Sequence, residues 1–143
     1  MFSEASVPRS SAAGKYFQLE ELEDKETATT ELFLQEDHTV SLGVTDGPIS
    51  KNAQGTWMQG EDGSFAMNIT RTFEAGREET TWTDMGEFDF NVERTFTGEM
   101  SFVGACIAVT GAIHSVDAIL GDREVGFFNM IDTTDIRLGE EDE

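Results

Sequence analysis

Cysteine is almost missing from this chain. A single one, Cys106, stands among 143 residues. That excludes an internal disulfide and any zinc site built from cysteines. Proline is nearly as scarce, with two residues, so proline cannot be what shields exposed strand edges. Basic residues are the third shortage: 9 lysines and arginines face 29 aspartates and glutamates, for a net charge of −20. A phosphate backbone is repelled by such a field, which excludes nucleic acid as a partner. No apolar run approaches the roughly 20 residues of a membrane helix, and too few cations are present for adhesion to anionic lipid. Helical periodicity is scarce too. At most one helical turn is expected, at Leu19-Glu-Glu-Leu22, which has helical spacing, or between Val116 and Leu120.

What is present is a period of two. Val40, Leu42 and Val44 alternate with polar or small residues, as do Phe65, Met67 and Ile69, and again Phe88, Phe90 and Val92. Ile107, Val109 and Ile113 share a phase, and Val125, Phe127 and Ile131 share another, although Phe128 and Met130 make that last segment apolar on both faces. Phe17 with Leu19, and Leu32 with Leu34, mark two more strands, and Trp57 follows a turn as part of another. Such alternation belongs to strands with one buried face. Asp46-Gly47-Pro48, the segment 60–63, Ala75-Gly76, Gly98, Gly104 and Gly121-Asp122 supply turn chemistry between them. About eight short strands without crossover helices predict an all-β fold. A sheet with one apolar face must close or pair with a second sheet. Closure also abolishes edges, so a single antiparallel up-and-down barrel is expected over residues 15–138. Residues 1–14, rich in Ser and Ala and without the apolar stretch of a secretory signal, are expected to form an arm, and 139–143 an acidic tail.

An internal repeat carries the main functional signal. Residues 65–73 and 88–96 share Phe65/Phe88, Asn68/Asn91, Arg71/Arg94, Thr72/Thr95 and Phe73/Phe96. Strand alternation puts both arginines on the phase of the flanking apolar residues, toward the interior. A guanidinium there must be paired or reach water. One reading is a cavity in which Arg71 and Arg94 hold the anionic group of an amphipathic ligand, with Phe65, Met67, Phe88, Phe90, Phe96 and Phe127 as its walls. The other is ion pairing at the barrel rim with some of the many carboxylates. A hairpin centred near Thr81 sets Arg71 opposite Phe90 and Arg94 opposite Met67. The arginines are then about four residues apart, on the order of 13 Å, too far to grip one head group together.

Other candidates are fewer. His38 and His114 are distant in sequence and read as surface residues; Cys106 reads as a small wall residue without a cationic neighbour. Glu20-Glu21 and Glu23-Asp24 are carboxylate pairs of a kind that so acidic a chain produces by chance. Trp57 is expected to plug one barrel end. Trp82, in the polar stretch 77–84, is the candidate partner-binding anchor.

Gly55-Thr-Trp57, followed by short strands with interior-phase arginines, resembles the lipocalin-type (calycin-like) small barrels, which place Gly-x-Trp on a first strand. That resemblance implies an eight-stranded barrel and an interior able to carry a small apolar ligand. The Arg-Thr-Phe-x-x-Gly spacing of residues 71–76 is similar to uncharacterised acidic barrel proteins of algal plastids, which implies a plastid location beside the cytoplasmic one.

Two functions fit these features. The first is a non-enzymatic accessory protein whose acidic surface docks a basic partner protein. The second is a carrier of a small apolar or amphipathic molecule. No motif names a cofactor or a metal; a lipid or pigment is the kind of ligand such an interior admits.

Overall fold

The computed structural model describes residues 11–75, 88–104, 106–117, 119 and 121–136. Eight strands follow one another: β1 (Lys15–Glu23), β2 (Glu26–Leu34), β3 (Thr39–Thr45), β4 (Asn52–Gln59), β5 (Ser64–Ala75), β6 (Phe88–Val103), β7 (Cys106–Asp117) and β8 (Gly121–Asp132). Each pairs antiparallel with the next, and β8 returns to β1, closing an up-and-down barrel. Leu19 to Leu22 lie within β1 rather than in a helical turn: Leu19 is fully buried and Leu22 faces out. Among the described residues the helical ones are 134–136, just after β8.

Alternation fills the interior. Phe17 and Leu19 from β1, Leu32 and Leu34 from β2, Trp57 from β4, Phe65, Met67 and Ile69 from β5, Phe96 from β6, Ile107, Val109 and Ile113 from β7, and Phe128 and Met130 from β8 are all buried. Large side chains meet small ones across the strands. Phe65 sits beside Gly98, Gly98 beside Gly111, and Gly111 beside Phe128. Gly98 therefore marks no turn. A Cβ on Gly111 would overlap the Thr97 carbonyl, and one on Gly98 the Thr110 carbonyl. Only glycine lets the two backbones approach so closely while the Phe96 and Phe128 rings pack edge to face at 5.2 Å.

One end of the barrel is shut. Trp57 lies there, its Nε1–H donating to the Gln35 carbonyl at 2.9 Å and its ring stacked on Phe65. Of the segment expected as an arm, residues 1–10 are outside the described residues, whereas Ala12 is buried in the core and its N–H donates to Gln59 Oε1. The acidic tail is also outside the described residues.

Two irregularities overturn parts of the expected pattern. Between Thr30 and Leu32 the partner on β3 jumps from Thr45 to Leu42, so β3 holds one extra residue. Beyond that bulge Thr45 turns inward to bond Thr30, and Val44 is 74% exposed instead of buried. A second bulge skips Val125 between the pairs Ile113–Gly126 and His114–Glu124. It gives the inward phase of β8 to Phe128 and Met130, and Phe127 and Ile131 stand outside at 57% and 50% exposure. Phe127 is therefore not a wall of any interior cavity. A one-residue slip exchanges the faces of a strand, and the pattern was apolar on both.

Candidate functional site

The period of two on β1 runs Phe17, Leu19, Glu21, Glu23, so both glutamates point into the bore above the apolar core. Arg71 on β5 and Arg94 on β6 point in from the opposite side. Arg71 meets Glu21 in a two-pronged pair, Nη2 to Oε1 at 3.0 Å and Nη1 to Oε2 at 3.3 Å. Arg94 grips Glu23 the same way, Nε to Oε2 at 3.0 Å and Nη2 to Oε1 at 3.3 Å. Its Nη1 also donates to the Glu93 carbonyl and to Ser115 Oγ. β1 is not a neighbour of β5 or β6, so these pairs span the bore as a polar layer over the core. The Glu21–Arg71 pair is the more enclosed, with side-chain exposures of 9% and 18%. Among the described residues, every buried side-chain nitrogen or oxygen has a partner.

The hairpin register differs from the expected one by two residues. Arg71 pairs with Val92, and Arg94 with Ile69. The arginines are diagonal neighbours two residues apart, not four, and both face the same cup. The expected obstacle to a shared site is thereby removed, but each guanidinium is already paired with a carboxylate. Above this layer the barrel mouth opens into a cavity of about 380 Å³. Phe73, Val92, Ala28 and Pro48 give it apolar walls. Four carboxylates (Glu21, Glu23, Glu26 and Asp46) line it against two guanidinium groups.

The remaining sequence candidates fall elsewhere. Phe65 and Met67 are core residues, each 2% exposed and remote from the cup. Phe90 stands at the mouth, 43% exposed, its ring 5.7 Å from that of Phe73. Phe88 opens β6, and its side chain, like Trp82 as a whole, lies outside the described residues. His114 faces outward and contacts Asp122 at 3.1 Å, while His38 caps a turn beside Trp57. Among the described residues no group of three His, Cys, Asp or Glu side chains could hold a metal ion. At the shut end two turn aspartates are tuned by local bonds. The Thr39 hydroxyl and N–H hold the Asp37 carboxyl below its ordinary value, and Ser64 does the same for Asp62.

No family model, curated protein or solved structure matches the chain. The eight-stranded antiparallel barrel is compatible with a lipocalin-like fold, with the Gly55-Thr-Trp57 motif on β4 and Trp57 buried against Phe65. No helix among the described residues is long and apolar enough to cross a membrane.

Glu21 and Glu23 are what sequence reasoning missed. They looked like members of chance acidic pairs. Their alternation with Phe17 and Leu19 was the available signal.

Proposed function

We propose that the chain is a non-catalytic accessory protein, an acidic barrel scaffold that docks on a partner protein with a basic surface, in the plastid or the cytoplasm. The observation that carries this reading is the filled bore. Apolar side chains occupy it from the shut end up to Glu21 and Arg71, and the two arginines at that level are paired with Glu21 and Glu23. Chemistry in such a molecule is left to its outer surface, where the surplus negative charge lies. Docking of this kind is strengthened by electrostatic complementarity and weakened by salt. Immobilised protein is expected to retain a basic protein from the source extract at low ionic strength. Salt should release it as the Debye length falls from about 30 Å at 0.01 M to about 3 Å at 1 M. No retention, or retention indifferent to salt, contradicts the reading.

The mouth cavity favours a second reading, carriage of a small amphipathic molecule. Its volume is at the low end of ligand sites, roughly 300–1,000 Å³. The excess of carboxylates over guanidinium groups suits a neutral or cationic head group better than an anionic one. A saturable thermal upshift with such an amphiphile, abolished by Phe73→Ser, supports carriage. No shift with cationic and neutral amphiphiles, retinoids or carotenoids counts against it.

A further inference from the structure

We propose that the docking surface is the outer wall formed by β7, β8 and β1, and that its occupant is an amphipathic, lysine- or arginine-bearing helix of the partner; this rests on the accessory reading above. Phe127 stands at the centre of that wall, flanked by Leu22 of β1 and Ala112 of β7 in the same cross-strand row. Ile131 lies four residues along β8, beside Ala108. Leu22, Phe127 and Ile131 are 44%, 57% and 50% exposed, and a groove of about 270 Å³ runs past Leu22, Thr27 and Phe127. Other exposed apolar residues, such as Met58 and Val44, sit on other strands.

Charge and geometry select the occupant. Glu20, Glu99 and Glu124 surround the apolar row on outward positions, and no lysine or arginine occupies an outward position of β1, β7 or β8 among the described residues. A second copy of a chain with net charge −20 would bring like charge against like. The apolar row also spans only about 10 Å across the three strands, and the outward row of Glu20, Asn129, Thr110 and Glu99 separates it from Ile131, so it falls far short of what an obligate dimer buries. Both ladders around β8 are continuous apart from the bulge at Val125, so the wall offers side chains and no free backbone edge. A partner strand has nothing to pair with there. A helix laying an apolar face on the row, with cations reaching the glutamates, uses what the wall presents.

The test is a fluorescence-anisotropy titration with a labelled peptide of about 18 residues, leucine along one helical face and lysine on the other. Wild-type protein is expected to bind at low salt and to lose affinity as salt rises. Phe127→Ser and, separately, Leu22→Ser are expected to weaken binding roughly tenfold or more. Met58→Ser, an equally exposed site on another strand, should leave it unchanged. Both wall residues are outside the core, and circular dichroism checks that the variants fold. Salt-sensitive binding that survives both wall substitutions overturns the wall and leaves the acidic-docking reading standing. Absence of binding at low salt overturns the wall and weighs against the docking reading as well. Sedimentation of the wild type as a dimer that Phe127→Ser dissolves would assign the wall to a second copy and overturn the helix.

Discussion

Glu21 and Arg71 are held across the bore by two hydrogen bonds, and removing one partner strands the other in a poorly hydrated place. Arg71→Ala is expected to cost about 2–4 kcal/mol in chemical denaturation, because the largely buried Glu21 carboxylate loses its counter-charge. Arg94→Ala should cost less, about 1 kcal/mol, since its pair with Glu23 is more hydrated. Replacing both members of the inner pair, Arg71→Met with Glu21→Leu, should cost less than Arg71→Ala alone. A double variant as damaged as the single would show that the pair's role is something other than mutual neutralisation. The inward phase of both arginines was legible from the repeat, because strand alternation admits no third direction. Their partners were not, since pairing across a barrel joins residues 50 and 71 positions apart in sequence. Local pattern carries no record of such contacts.

At the scale of strands, the barrel has a strong side and a weak one. β5 pairs with β6 over twelve residues, whereas β3 pairs with β4 only at Thr39–Thr56 and Val40–Gly55. Native-state hydrogen exchange is therefore expected to open the β3–β4 seam before any other ladder. Protection there equal to that of β5–β6 would contradict the pairing. The Gly98–Gly111 contact belongs to the strong side. Gly111→Ala must push a backbone aside, and a loss of about 3 kcal/mol or more, read from denaturant midpoints, is expected. The number of strands and their up-and-down order were readable from alternation and turn residues. The faces of Val44, Phe127 and Ile131 were not. A bulge shifts the phase without leaving a mark when the neighbouring residues are apolar on both sides, as in Phe127-Phe128. That same slip put Phe127 on the wall proposed for docking, so the misread element is also the one with most to say about function.

For the whole molecule, a charge of −20 works against compaction and salt relieves it. The melting temperature is expected to rise with added sodium chloride, since relief of the general repulsion outweighs the loss from a few partly hydrated ion pairs. Asp37 and Asp62 respond to acid: their bonds to Thr39 and Ser64 depress their folded-state values, so their contribution to stability is present above the ordinary aspartate value and is lost as pH falls below about 4. Asp37→Asn and Asp62→Asn are expected to flatten the fall in melting temperature below about pH 4. An acid limb unchanged in both variants would contradict this. The most direct measurement for the central claim, that this filled barrel works through its outer wall, is hydroxyl-radical footprinting with and without the lysine–leucine peptide. Leu22, Phe127 and Ile131 should lose labelling on binding while Phe73 and Val92 keep theirs; protection of the mouth residues with the wall unchanged would contradict the account.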